Sequence, residues 1–181
     1  MSIILVRHTV PNVADNVCYG QTDLGLAESF QSEALEVISK LENCEVLITS
    51  PLQRCRKLAE KIGATFKIQP NIDPRVREMD FGTWEGYEWS DIPRHELDLW
   101  AKDFLHARPH GGDSVAMLRS RTLNALAEYS ASRQRYIVVT HSGVIKAALS
   151  DGDDAEHFAT AVDFGGVIDY TPHQDSNDDR L

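Results

Sequence analysis

Residues 3 to 9 read Ile3-Ile4-Leu5-Val6-Arg7-His8-Thr9. Four consecutive apolar residues, mostly β-branched and without polar alternation, describe a strand buried on both faces, as in the middle of a sheet flanked by helices. Arg7 and His8 stand at its C-terminal end. In open α/β sheets ligands bind beyond the carboxyl ends of the strands, so a cation and a nucleophile placed there make an anion site. Taken alone, the pair also fits a solvated strand end.

The same layout returns far along the chain. Residues 136 to 143, Tyr-Ile-Val-Val-Thr-His-Ser-Gly, run a second buried strand into His141, ahead of a helical stretch from Val144 to Leu149. His141 holds the position equivalent to His8. Ser142 and Gly143 suit a tight strand-to-helix turn, whose free backbone N–H groups bind a phosphate oxygen. A third segment repeats the plan: strand Glu45 to Thr49, Ser50 as N-cap, Pro51 at the first helical position, and Leu52, Cys55, Ala59 and Ile62 as the buried stripe. Arg54 falls in the first turn of that helix, where the helix dipole opposes a cation and a nearby anion would reverse the balance.

Two arginines and two histidines therefore converge on one edge of one sheet. Phosphoryl transfer requires such a set: guanidinium forks and imidazole donors stabilise the equatorial oxygens while one imidazole nitrogen attacks phosphorus in line. Neighbouring positive charge also keeps a histidine neutral and nucleophilic. A metal-dependent hydrolase fits poorly, because Arg7 would repel a dication and no His-Asp, His-x-His or Cys-x-x-Cys pattern supplies ligands. Neither a metal nor a cofactor is expected.

Five ordered segments now resemble a known family. Leu5 to Thr9, Ser50 to Cys55, Arg77 to Gly86, Gly112-Asp113-Ser114 and Thr140 to Gly143 are similar to the successive motifs of the histidine phosphatase (phosphoglycerate mutase-like) superfamily. The resemblance implies that His8 is transiently phosphorylated, that Arg7, Arg54 and His141 hold the phosphate, and that Glu78 protonates the leaving oxygen. On the residues alone either Glu78 or Asp80 could be that donor, and Asp80 could equally pair with Arg75 or Arg77 on the surface. A carboxyl group beside a phosphate dianion is pushed toward its protonated form, which a general acid needs. The spacing to Phe81-Gly82 selects Glu78 by resemblance.

Within the superfamily the chain most resembles the α-ribazole phosphatase branch of cobalamin assembly, through Cys18 to Asp23 with Leu24 and Leu26, and through Glu78 to Glu85. Gln21, Thr22 and Ser142 are the expected substrate contacts. Three departures stand out: Thr9 replaces the commoner Gly, Asp113 stands where Glu is usual, and the usual Asn after the histidine has no clear counterpart. Asn12 or Asn16 could replace it only if the loop is remodelled.

Bulk properties set the frame. The 181 residues, 42% hydrophobic and 25% charged, suffice for one core and are short for two. A net charge of -10 argues against a nucleic-acid partner and makes a local cationic cluster more telling. Met1 to Val6 lacks a signal-peptide pattern, no run has membrane-spanning length, and the odd set Cys18, Cys44 and Cys55 reads as reduced thiols, so a cytoplasmic location is expected.

The expected architecture is a three-layer α/β sandwich, with a mainly parallel central sheet flanked by helices and a small helical cap insertion. A catalytic domain is expected over 1–172, with the cap over 84–111 and a polar tail over 173–181. Further strands are expected near Phe66 to Gln69 and over Gly165 to Tyr170, and Arg119 and Arg121 are expected to be solvated beside the stripe Val115, Leu118, Thr122, Leu126 and Tyr129. The cap's Trp84, Tyr87, Trp89 and Trp100 either stack on a flat substrate or pack a mini-core. A capped pocket favours a small-molecule phosphate monoester over a phosphoprotein, and the oligomeric state is left open. Alternatives are a broad small-metabolite phosphatase, a phosphoglycerate mutase, for which the chain is short, or a non-catalytic phospho-ligand binder, which would not need Glu78.

Overall fold

The computed structural model describes residues 2–172, so the expected tail lies outside the described residues. The chain runs β1 (Ser2–Arg7), α1 (Phe30–Ser39), β2 (Val46–Thr49), α2 (Gln53–Phe66), β3 (Asn71–Ile72), α3 (Arg94–Lys102), α4 (Val115–Ala131), β4 (Arg135–Thr140), α5 (Ser142–Leu149) and β5 (Val167–Tyr170). The sheet order is β3-β2-β4-β1-β5. β1 through β4 pair in parallel, and β5 closes the edge antiparallel to β1.

The continuous apolar runs are explained by the layers on either side of the sheet. Val6, Ile137 and Val139 face a core with Phe30, Val37, Leu58 and Ile62 of α1 and α2. Leu5 and Val138 face the opposite core with Leu118 and Leu126 of α4 and Ile145 of α5. Alternate residues of one strand thus serve two different cores, and each fully buried aliphatic side chain contributes roughly 1.5–3 kcal/mol. The expected α4 stripe is buried as read.

Phe66 to Gln69 is not a strand. α2 continues through Phe66, Lys67 turns left-handed at φ 58°, and the Ile68 N–H returns to the Gly63 carbonyl at 3.0 Å. Phe66 and Ile68 both pack on the α1/α2 core, so their alternation belongs to a helix end. A side chain at Gly63 would lie 2.4 Å from the Ile68 carbonyl oxygen, so the turn needs glycine there. The strand that follows has only the two residues of β3. β5 likewise starts two residues later than expected, because Gly165 and Gly166 form the turn before it.

The 84–111 segment leaves and rejoins the body at one point. A side chain on Gly112 would sit 2.1 Å from the Asp80 carbonyl oxygen, and Gly82, at φ +49°, comes equally close to that of His110. Its Trp84 and Ile92 form a small core with Cys18 of the loop after β1, and the Trp84 indole donates to Glu96 at 2.6 Å. Trp84 is therefore a packing residue, whereas Trp100 reaches a cavity described below. Among the described residues no helix is long and apolar enough to cross a membrane.

Candidate active site

The carboxyl ends of β1, β2 and β4 bring His8, Ser50 and His141 together. The His8 N–H extends the β1/β4 ladder by donating to Thr140 O at 3.0 Å. Its Nδ1 lies 2.7 Å from its neighbour's carbonyl, Thr9 O. A carbonyl can only accept, so Nδ1 carries the proton and Nε2 presents a lone pair. Arg54 Nε donates to that nitrogen at 3.3 Å.

Arg54 is completely buried, and its other nitrogens donate to Gly20 O at 2.6 Å and Thr22 O at 2.8 Å. Among the described residues its hydrogen-bond partners are two carbonyls and an imidazole, with no carboxylate. A buried guanidinium without a counter-charge favours an anion beside it. Arg7 reinforces this. It donates to Val162 O at 2.5 Å, its guanidinium carbon lies 3.7 Å from the centroid of Phe164, and its Nε is buried without a partner. Burial pulls Arg7 below its usual value, but a guanidinium stays charged.

His141 precedes the first residue of α5 and is fully buried, with its ring centroid 5.2 Å from that of His8. Its Nε2 lies 2.7 Å from Ser50 Oγ and 3.4 Å from Cys55 Sγ. Burial, and then the charge of Arg54, push both imidazoles well below their usual range, so each is neutral in the free protein. Ser50 is not the helix N-cap. Its N–H donates to Val139 O in strand fashion, its hydroxyl serves His141, and α2 begins only at Gln53.

Glu78 lies against the start of α5. Its Oε1 accepts from the Met79 N–H at 2.9 Å and its Oε2 from the Gly143 N–H at 3.1 Å. A side chain on Gly143 would come within 2.3 Å of the carboxylate, so this approach also depends on glycine. Asp80 instead turns toward the cap and accepts from the Gly82 N–H at 2.7 Å. Arg75, one of its two expected partners, pairs instead with Asp73 and Glu128.

Arg119 and Arg121 are not solvated. Arg121 donates to the carbonyls of Arg75, Arg77 and Glu78 and pairs with Asp113 at 3.2 Å. Asp113 in turn accepts from the Asp80 N–H. Residues 77–80 are irregular, so their carbonyls need partners from outside, and the guanidinium fork of α4 supplies them. Arg119 reaches Gly152 O at 3.1 Å and Asp153 at 2.7 Å.

Gln21 and Thr22 do not line the cavity beside Glu78 but are tied to residues of the site. Gln21 donates through its side chain to Glu78 O at 3.2 Å, and both backbone N–H groups donate to Glu85, as does the Thr22 hydroxyl. Burial pushes Glu85 upward, but those bonds and one from the Phe81 N–H outweigh it and leave its carboxyl below the usual value. The loop so pinned is the one that offers its carbonyls to Arg54. Asn12 and Asn16 are both exposed, and Asn16, left-handed at φ 61°, accepts from the Trp89 N–H, so neither replaces the missing asparagine.

Ser142 opens onto a cavity of about 310 Å³ that Glu78 and Gly143 share. Its remaining wall is largely apolar, with Met79, Phe81, Trp100, Phe104, Leu118 and Phe158, and Lys146 at one side. The side chains that sequence reasoning did not single out are Tyr19, Glu85 and Phe164, and Arg121 it took for a solvated residue. Each reaches the site from a loop or a helix flank, where periodicity carries no signal. Among the described residues no group of three or more His, Cys, Asp or Glu side chains is arranged to hold a metal ion.

Comparison with known proteins bears on the family and the fold. The chain is 30% identical over 167 residues to a glucosyl-3-phosphoglycerate phosphatase of Mycobacterium tuberculosis, covering 82% of this chain and 73% of that protein. It is 25% identical over 159 residues to the adenosylcobalamin/alpha-ribazole phosphatase of Escherichia coli, covering 83% and 78%. A solved mycobacterial glucosyl-3-phosphoglycerate phosphatase superposes with a TM-score of 0.79 at 25% identity, over 93% of this chain and 88% of that one. The model of the histidine phosphatase superfamily, branch 1, matches residues 3–162, and the chain belongs to that superfamily.

Proposed function

We propose that the protein is a cytoplasmic, metal-independent phosphomonoesterase that works through a phosphohistidine at His8. The observation that carries this reading is the Nε2 lone pair of His8 lying against a buried Arg54 that pairs with no carboxylate among the described residues. His8 Nε2 attacks phosphorus as the ester P–O bond breaks, and Glu78 gives the leaving oxygen its proton. Water then attacks the phosphorus of phosphohistidine, Glu78 takes a proton from it, and the P–N bond breaks to release inorganic phosphate. Arg7, Arg54 and His141 carry the negative charge of the equatorial oxygens throughout, so the positive charge comes from the protein.

The leaving group enters the cavity beside Glu78. Its walls of Phe81, Trp100, Phe104 and Phe158 favour a flat or apolar group, which supports α-ribazole 5′-phosphate as substrate. The 30% identity to a phosphatase of another substrate favours, as a second reading, a broad small-metabolite phosphatase. A panel of monoesters assayed with EDTA separates the two. α-Ribazole 5′-phosphate is expected to exceed glucosyl-3-phosphoglycerate, phosphoserine and simple sugar phosphates in kcat/KM by about tenfold or more, as remote binding energy is used in the transition state. Equal rates would support the broad enzyme, and inactivation by EDTA would contradict the mechanism.

A further inference from the structure

The phosphate site lacks the asparagine usual in its family, and neither Asn12 nor Asn16 reaches it. Tyr19 does. The residues on either side of it are clamped: the Cys18 N–H donates to Tyr87 O at 2.8 Å, and Gly20 O accepts from Arg54 at 2.6 Å. A side chain on Gly20 would lie 2.0 Å from Met79 O, so the loop is pressed against the segment that carries Glu78. This fixes the Tyr19 ring over the Arg54 guanidinium, with 5.3 Å from its central carbon to the ring centroid. The Arg7 and Arg54 guanidinium groups and the Glu78 carboxylate all act electrostatically on its hydroxyl.

Tyr19 thus sits among three of the five residues assigned to the chemistry. An arginine only donates, so neither Arg7 nor Arg54 can take the phenol's hydrogen, which remains to be donated. Burial raises the phenol above its usual value, and the donor survives beside two cations. We propose that the Tyr19 hydroxyl donates to a non-bridging oxygen of the bound phosphoryl group, filling the place of the missing asparagine and making Tyr19 a catalytic residue of this chain. The inference rests on the phosphohistidine reading for its effect on turnover, while its effect on anion binding can be read separately.

Tyr19→Phe keeps the ring on Arg54 and removes only the donor. A hydrogen bond to a charged group is worth enough that kcat/KM for p-nitrophenyl phosphate should fall about 10- to 100-fold, and the inhibition constants of inorganic phosphate and vanadate should rise in parallel, with Tm unchanged. Wild-type kcat/KM together with wild-type phosphate inhibition would overturn the proposal and leave Tyr19 as packing on Arg54. Replacing Tyr19 by a ring-fluorinated tyrosine provides a second reading that does not depend on how the Phe variant folds. Fluorination makes the phenol more acidic, so phosphate affinity should acquire a basic limb that moves to lower pH. An unmoved limb would contradict the donor role. Failure to trap phosphohistidine in the wild type would sink the mechanism alone, because phosphate inhibition reports the Tyr19 contact without turnover.

Discussion

Arg54 Nε and His8 Nε2 are 3.3 Å apart in the free protein, so the guanidinium occupies the lone pair that the proposed mechanism needs for attack. Substrate must draw Arg54 partly away, and an incoming phosphate does so by offering charged oxygens in place of a neutral nitrogen. Burial, and then the same charge, hold His8 neutral, so in the proposed mechanism Arg54 both helps prepare the nucleophile and binds the phosphoryl group that His8 receives.

Arg54→Met should therefore lower kcat/KM at least about 100-fold, equally for alkyl and aryl esters, since the contact is to the transferring group and not the leaving group. Steady-state kinetics on p-nitrophenyl phosphate and an alkyl phosphate check this. A loss confined to alkyl esters would assign Arg54 to the leaving side.

Glu78→Gln should behave in the opposite way. Alkyl esters, whose leaving oxygen needs a proton, should slow by about 100-fold or more, while p-nitrophenyl phosphate should be much less affected in the phosphorylation step. Asp80→Asn should show no such selectivity, because its carboxylate caps the Gly82 N–H. The reverse pattern would move the acid to Asp80.

The buried histidines make stability pH-dependent with a definite sign. His8 and His141 are held well below the usual imidazole value, so around and below pH 6.5 the unfolded chain binds protons that the native protein does not. Stability should fall with falling pH, by about 1.4 kcal/mol per pH unit for each histidine that differs fully. Denaturant melts between pH 5 and pH 7.5 measure the slope, and His8→Asn should reduce it. A wild-type slope in that variant would show that His8 is not held neutral.

Arg121→Met should destabilise the protein by roughly 2–3 kcal/mol, because the carbonyls of Arg75 and Arg77 lose this donor and that of Glu78 is left with Gln21 alone. Arg121→Lys should recover only part of this, since one ammonium cannot reproduce the fork. Urea unfolding of the two variants is the check, and full recovery by lysine would mean that only the charge matters.

How much of this could be read from the sequence follows from what each residue packs against. β1 and β4 are legible because both faces of each are covered, which forces unbroken apolar runs, and His8 and His141 follow from where those runs stop. Ser50 misleads because the helix starts three residues later, at Gln53, while its hydroxyl meets a histidine from another strand as well as the Leu52 N–H, and Phe66 misleads because a helix end can alternate as a strand does. Arg121 and Tyr19 act on chain segments distant in sequence, so their spacing gives no sign of it. The side of the helix stripe says only that Arg121 is off the core, not that it bridges irregular backbone.

The central claim is that His8 is the nucleophile. Rapid quench of the wild-type protein with a ³²P-labelled monoester, followed by digestion and peptide sequencing, should place acid-labile, base-stable label on His8. The label should appear before inorganic phosphate is released and be absent from His8→Ala, which should also lose turnover while keeping the native fold. Label on another residue, or full turnover without a covalent intermediate in His8→Ala, would contradict the account.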